Sequence, residues 1–172
     1  GPLAVPGHYT AKLTVDGQTF SRPFEVVTDP KLTTSPADLE ASLQMQIRVR
    51  GDLNSTVKMI NRLEVMRHAL EVETGKATGN DARVKELAAM NDKLMNVELM
   101  LISHENLNSD DKYFVTADKV YLNLIWLYAE TGLGGGDVAG GANYKPTDTT
   151  HEVLQMIETN LNAVKAAYDA LM

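Results

Sequence analysis

Residues 8–26 read HYTAKLTVDGQTFSRPFEV and decide the fold at the front of the chain. The first half alternates apolar and polar side chains, which is the pattern of a strand with one buried face. Its apolar members are Tyr9, Ala11, Leu13 and Val15. The dipeptide Asp16-Gly17 then predicts a type I′ turn, because that turn needs positive φ at both central residues. The stretch therefore predicts a β-hairpin.

The predicted register gathers apolar side chains on one face of the hairpin. A two-residue turn places Leu13 opposite Phe20 and Tyr9 opposite Phe24. Pro23 cannot donate a ladder hydrogen bond, so the second strand is predicted to be an edge there. Two strands alone are marginally stable in water. We therefore expect the apolar face to be covered by the helices behind it, by a partner chain or by further strands.

The pattern changes from strand to helix after residue 30. Helix one is predicted from Pro36 to about Thr74, with Ser35 as its N-cap and Gly75 just after its end. Gly51 lies inside this helix and predicts either a bend or a close helix contact. The apolar stripe comprises Leu39, Leu43, Ile47, Leu53, Val57, Ile60, Leu63, Met66 and Leu70.

Three more helices are predicted at about 81–106, about 113–130 and from about 147 to the end. The third helix of the chain is apolar almost all round, so it should be the most buried. Thr149 and Glu152 fit a capping box at the start of the last helix. The chain is therefore predicted to be mainly α, an up-down antiparallel four-helix bundle over residues 31–172 that follows a hairpin over residues 1–30.

Charge and composition exclude several classes of function. The net charge is −7, from 16 Lys and Arg against 23 Asp and Glu. This balance disfavours binding to nucleic acid or to an anionic membrane surface. The chain contains no cysteine, which excludes disulfides, thiolate metal sites and cysteine nucleophiles within it. No apolar run approaches the ~20 residues of a spanning helix, so no membrane insertion is expected.

The glycine-rich stretch at 132–141 contains a match to the pattern G-x-G-x-x-A at Gly134, Gly136 and Ala139. A dinucleotide-binding loop with that pattern follows a strand and opens a helix. Here the stretch follows a predicted helix and leads to Pro146. A flexible loop between helices is the favoured interpretation, and a phosphate cradle is the alternative.

The histidines do not reproduce the Glu-x-x-His pairs of a di-iron bundle. His68 has acidic neighbours one turn away on either side, whereas His104 and His151 lack the required glutamate. Surface ion pairs or hydrogen bonds are predicted for them, with an adventitious metal site as the alternative. Asp110-Asp111 is interpreted as helix capping. The sequence assigns no catalytic, cofactor-binding or metal-ligating residue and no cofactor.

Aromatic side chains follow helical spacing in the third predicted helix. Core packing is their expected role, and a groove for a partner protein is the alternative. These residues are Tyr113, Phe114, Tyr121, Trp126 and Tyr128.

The front segment also carries more specific motifs, at Pro6-Gly7-His8-Tyr9-Thr10, Leu13-Thr14-Val15-Asp16-Gly17, Phe24-Glu25-Val26 and Asp29-Pro30-Lys31. This pattern resembles the C-terminal region of bacterial BNR-repeat or sortilin-like glycosyl hydrolases. The run Ser35-Pro36-Ala37-Asp38-Leu39 is similar to the opening of their helical region. The match covers residues 2–43, and His8 departs from the usual small residue. Beyond about residue 75 only the helical pattern agrees.

The resemblance implies a large β-propeller upstream, then an immunoglobulin-like segment whose last two strands form the hairpin. It also implies an extracytoplasmic location and that Gly1 is not a natural start. The favoured function is a non-catalytic accessory module that braces the propeller or mediates self-association. One alternative is an interaction bundle that binds a partner through a helix groove or the hairpin edge. An enzyme in its own right would need two titratable groups that converge in a pocket, and the sequence names none.

Overall fold

The computed structural model describes residues 1–107, 116–135 and 138–172. The chain is mainly helical and begins with an antiparallel hairpin, as predicted. In order, its elements are β1 (Gly7–Val15), β2 (Gln18–Val26), α1 (Pro36–Lys76), α2 (Asp81–Leu101), α3 (His104–Leu107), α4 (Val120–Thr131), β3 (Gly134–Gly135), β4 (Val138–Ala139) and α5 (Asp148–Asp169).

The hairpin has the predicted turn and register. Asp16 and Gly17 have φ values of 50° and 77°, as a type I′ turn requires. Leu13 lies opposite Phe20 and Tyr9 lies opposite Phe24. The rings of Tyr9 and Phe24 stack with their centroids 5.8 Å apart. Local turn chemistry and alternation are therefore sufficient to set this element.

Helix α1 begins where the sequence predicts but ends differently. The Ser35 hydroxyl accepts a hydrogen bond from the backbone N–H of Asp38 at 3.1 Å, which confirms the N-cap. The helix runs unbroken through Gly51, and a Cβ there would meet nothing within 4 Å, so the predicted close contact is wrong. Gly75 lies inside the helix. The chain instead turns at Gly79, whose φ is +92°.

The partners of α1 change along its length. Near its C-terminal end, α1 is joined to α2 by Arg67, which donates to Glu98 at 2.7 Å. Near its N-terminal end, Ser42 donates to the carbonyl of Ala142. Gly141 in turn donates to Glu130 in the last turn of α4. The end of α4 therefore lies beside the start of α1, and α4 runs antiparallel to it.

The expected up-down antiparallel four-helix bundle is not confirmed, because α5 runs parallel to α1. Arg48 contacts Glu158, and Asp52, one turn further along α1, contacts Lys165 further along α5. Positions therefore advance in the same direction on both helices. In an up-down bundle the first and fourth helices run in opposite directions, so residue numbers in contact would have risen along one helix and fallen along the other.

One apolar cluster joins the four longer helices. Its most deeply buried members include Val49, Leu63, Leu94, Leu101, Leu124, Leu127, Leu154, Ile157, Leu161 and Val164. The residues of α5 that belong to this core run along most of that helix, whereas those of α2 begin at Leu94. In the stripe predicted for α1, Leu39 is buried but Ile47 is 39% exposed, and Met45 and Val49 are buried in its place.

Helix α4 is the most buried helix, as predicted, since Glu130 is its only exposed residue. It begins at Val120 rather than near 113. The expectations for Asp110-Asp111, Tyr113 and Phe114 fall outside the described residues. Helix α2 ends at Leu101, because Ile102 is extended with φ −138°. The last helix is capped by Thr147, which accepts from the N–H of Thr150, and not by the predicted Thr149.

The described part of the glycine-rich stretch, residues 132–135 and 138–141, folds back onto the end of α4. Gly134 pairs with Ala139 in a short antiparallel bridge, within the residues described. A Cβ at Gly140 would overlap the carbonyl carbon of Leu133 and lie 2.5 Å from the nitrogen of Gly134. A Cβ at Gly141 would lie 2.8 Å from the carbonyl oxygen of Glu130. Close backbone approach therefore accounts for these two glycines.

The division between residues 1–30 and 31–172 stays a prediction. A hydrogen bond joins the two parts: the N–H of Leu3 donates to the side-chain carbonyl of Gln46 at 3.2 Å.

Two glycine substitutions should change stability in opposite directions. We expect Gly140→Ala to lower the free energy of unfolding by about 1–3 kcal/mol, because the new methyl group must displace backbone. Gly51→Ala should raise it by about 0.5–1 kcal/mol, because the site is an open position inside a helix. Urea unfolding followed by circular dichroism measures both. Equal effects would contradict the folded-back arrangement of the glycine-rich stretch.

Candidate functional site

The hairpin presents a row of large apolar side chains to solvent. We call this the apolar hairpin face; it consists of the half-buried Tyr9 and the exposed Leu13, Val15, Phe20 and Phe24. Leu13 is 62% exposed, Phe20 is 56% exposed and Phe24 is 49% exposed. In the part of the chain that the structure describes, the helices leave this face open. On this face the pair Ala11 and Arg22 lies between the pair Tyr9 and Phe24 and the pair Leu13 and Phe20. Exposed clusters of large apolar side chains are typical of an interaction site.

The base of the hairpin is tied to the helices by extended chain. The Tyr9 hydroxyl donates to the carbonyl of Val5 at 2.7 Å, which holds the segment before β1 against the first strand. A cleft of about 220 Å³ lies between this segment, the chain after β2 and the start of α1. Leu3, Val27 and Leu39 are among the residues that line it. It is smaller than most small-molecule sites, which occupy about 300–1,000 Å³.

Two buried polar residues fix the start of α1 beneath this cleft. Ser42 and Gln46 are each 2% exposed. The Gln46 amide donates to the Ser42 hydroxyl at 3.2 Å. Ser42 in turn donates to the carbonyl of Ala142. Their hydrogen bonds offset the cost of burying polar atoms. This face of α1 is polar because it packs against the backbone at Ala142.

A buried carboxylate lies between α1, α2 and α3. Glu98 is fully buried. It accepts a hydrogen bond from Arg67, which also donates to the side-chain oxygen of Asn91 at 3.3 Å. The Nε2 of His104 lies 2.9 Å from the other Glu98 oxygen. Neither of those two atoms makes a hydrogen bond with the described residues.

The structure separates the three histidines that the sequence singled out. His68 lies 3.6 Å from Glu71 with both side chains largely exposed, which is the predicted surface pair. His151 is exposed. His104 contacts a buried glutamate instead of a surface group, so the prediction of a surface pair is wrong there. Glu98 was missed, although its place in the apolar stripe between Leu94 and Leu101 was a usable signal.

A second charged cluster lies between α1 and α5. Arg48 donates two hydrogen bonds to Glu158, each at 2.5 Å. Lys165 lies 3.9 Å from Asp52. The buried Oδ2 of Asp52 and the hydroxyl of Thr56 have no hydrogen-bond partner among the described residues. Burial raises the pKa of Asp52 and the nearby Glu158 raises it further, while Lys165 and Arg48 act in the opposite direction.

The described residues contain neither a cluster of metal-ligating side chains nor a membrane-spanning helix. Within residues 1–107, 116–135 and 138–172, no three His, Asp or Glu side chains lie close enough to hold a metal ion. None of the helices in those ranges combines the length and hydropathy needed to cross a membrane.

Aromatic side chains of α4 contribute to the core. Tyr121 and Tyr128 pack against the central apolar cluster. Trp126 is partly buried on the same helix. Of the features described, the apolar hairpin face is therefore the one that requires a partner to bury it.

No protein-family model, curated protein or solved structure matches this chain.

The buried pair of Arg67 and Glu98 should contribute strongly to stability. We expect Arg67→Ala to lower the free energy of unfolding by about 3 kcal/mol, because it leaves a buried carboxylate without its cation. Arg83→Ala is the matched control, since Arg83 pairs with Glu86 on the surface, and it should change stability by less than about 0.5 kcal/mol. Urea unfolding at neutral pH compares them. Similar losses in the two variants would contradict a special role for the buried pair.

Asp52 should make the protein less stable at neutral pH than in mild acid. Its pKa is raised in the folded state. Its stabilising contribution is therefore complete below the unfolded pKa of about 3.9 and is lost as the pH rises through the folded pKa. Asp52→Asn should raise stability at pH 7 and lose that advantage below about pH 4. Urea unfolding across this range tests it, with Glu64→Gln as the exposed control on α1. A stability difference between Asp52→Asn and the original chain that does not change with pH would contradict the raised pKa of Asp52.

Proposed function

We propose that this chain is a non-catalytic accessory module of a larger extracytoplasmic protein. In this proposal the apolar hairpin face packs on a β-structured domain of the same parent chain, and the helical part braces that junction. The parent is proposed to resemble BNR-repeat or sortilin-like glycosyl hydrolases. The hairpin then corresponds to the last two strands of an immunoglobulin-like sandwich that follows a β-propeller.

The exposure of the apolar hairpin face carries this proposal. A side chain such as Phe20 gains about 1.5–3 kcal/mol when it is fully buried, and here it remains 56% exposed. Several such side chains lie on one face of a two-stranded sheet. A second sheet packed on that face would bury them in the way that the two halves of a β-sandwich bury their inner faces.

The charged clusters support a structural role for the helical part. Arg67 and Glu98 join α1 to α2, and Arg48 and Glu158 join α1 to α5. Each carboxylate is already engaged by a cation from a neighbouring helix. These ion pairs hold helices together. A carboxylate held in such a pair is less available as a general acid or base for a substrate.

A matched pair of double variants tests the proposal in the parent protein. The reading frame upstream of the Gly1 codon is sequenced first, and the parent is expressed with Leu13→Ser and Phe20→Ser. The control is Thr14→Ser with Thr19→Ser, the adjacent cross-strand pair on the opposite face. Amide hydrogen exchange of the hairpin should speed up at least about tenfold in the first variant, because its apolar anchors are lost. The control should exchange like the parent.

Two results would overturn the proposal. One is an upstream reading frame that encodes no β-structured domain. The other is equal hydrogen exchange in the two double variants, which would show that the apolar hairpin face is not packed in the parent.

The alternative function is an interaction module that binds a partner through the hairpin edge or a helix groove. The open edges of the two-stranded sheet favour the first of these routes. A free edge presents unpaired backbone donors and acceptors to any strand that matches it.

A further inference from the structure

The outer edge of β1 presents an unbroken row of backbone donors. In a two-residue hairpin the residues that flank the turn, Val15 and Gln18, exchange both ladder hydrogen bonds, and every second pair repeats this. The pairs between them point their N–H and C=O groups outward. Thr14 and Thr19 form such a pair, and their hydroxyls lie 3.1 Å apart, as the closer side-chain spacing of these pairs allows. The outward donors of β1 therefore belong to His8, Thr10, Lys12 and Thr14.

The outer edge of β2 is interrupted. Its outward positions are Thr19, Ser21, Pro23 and Glu25, by the same ladder geometry. Pro23 has no N–H to donate, and proline at such a position blocks strand addition. The two edges of the hairpin therefore differ, and only β1 offers a complete row among the residues described.

We propose that a second copy of this chain pairs with the β1 edge, antiparallel, about a two-fold axis that passes beside Ala11. The product is a four-stranded sheet in the order β2-β1-β1-β2. The proposal concerns this chain by itself and the edge of its hairpin; in the parent proposed above, a strand of the sandwich would compete with the second copy for the same β1 edge.

The side chains of β1 complement themselves in this register. Tyr9 of one copy lies opposite Leu13 of the second copy, so that apolar rows run across all four strands as Phe24, Tyr9, Leu13 and Phe20. Aromatic side chains opposite aliphatic ones stabilise antiparallel pairs. On the other face, Thr10 meets Lys12 and His8 meets Thr14. No like charges lie opposite each other in this arrangement.

Neighbouring registers fit less well. A shift that centres the axis on Lys12 places the two Lys12 ammonium groups opposite each other, which is destabilising. A shift that centres it on Thr10 places Leu13 opposite Gly7 and breaks the apolar rows. A shift by one residue places the outward N–H groups of one copy opposite residues of the other copy whose N–H groups point inward. No ladder of hydrogen bonds forms in such a register. The axis at Ala11 is therefore the register that the strand itself specifies.

The pairing also removes a weakness of the isolated hairpin. Two strands are marginally stable in water, whereas four strands with an apolar face exceed the usual minimum for a stable sheet. Both copies contribute the same edge, so the interface is closed and symmetric and cannot extend into a fibre.

A pair of proline substitutions on directly opposite residues tests which edge is used. Lys12→Pro removes an outward donor from β1, and Ser21→Pro removes one from β2 at the paired position. We expect sedimentation equilibrium of the full chain to show a dimer whose Kd rises at least about tenfold with Lys12→Pro. Ser21→Pro and the charge control Lys12→Gln should each leave the Kd within about threefold of the original.

Single cysteines test the register without disturbing the ladder, because the chain contains none of its own. In the proposed dimer the two Ala11 Cα atoms face each other at about 4.5 Å, within the range of a disulfide. The two Arg22 Cα atoms lie three strand spacings apart, at about 14 Å. Ala11→Cys should therefore form a disulfide-linked dimer under mild oxidation at least about tenfold faster than Arg22→Cys.

Three outcomes would overturn the proposal. The first is a chain that stays monomeric up to millimolar concentration. The second is a dimer that is lost with Ser21→Pro and kept with Lys12→Pro, which would place the contact on β2. The third is equal cross-linking of the two cysteine variants, which would reject the register even if the dimer formed.

Discussion

Burial of the apolar side of α1 is the constraint on which the helical part depends. This helix has 41 residues and is therefore about 60 Å long. Neither α2, with 21 residues, nor α4, with 12, can cover it alone. They cover it in succession, α2 towards its C-terminal end and α4 towards its start. Helix α5 then packs alongside, parallel to α1, and the four helices share one apolar cluster.

Buried polar contacts select this arrangement from the others that apolar burial would permit. Apolar burial is non-directional, so it fixes neither the direction nor the axial position of a helix. Glu98 and Arg67 fix α2 against α1, while the Ser42 hydroxyl fixes the glycine-rich return of the chain. Misplacing either contact would cost free energy, because a buried polar group without its partner loses its solvation and gains no hydrogen bond.

The hairpin is stabilised in a different way from the helices. Its conformation is set locally by the turn and by alternation, and its two strands satisfy each other's inner backbone groups. Its apolar side chains and its outer edges remain open, so the element is complete in conformation but not in burial. This difference separates the structural role of the helical part from the binding role proposed for the hairpin.

The elements that could be predicted from the sequence are those whose signals are local. The Asp16-Gly17 turn, the register of β1 with β2 and the Ser35 cap all depend on neighbours within a few residues. The parallel direction of α5, the burial of Glu98 and the choice of which α1 residues before Gly51 face the core all depend on tertiary packing. Helical periodicity offers several nearly equivalent faces along 41 residues, and the choice among them depends on which distant backbone and side chains pack there. The glycines at 140 and 141 show the same limit, because their small size is required by a backbone contact with residues 130–134 that no local pattern encodes.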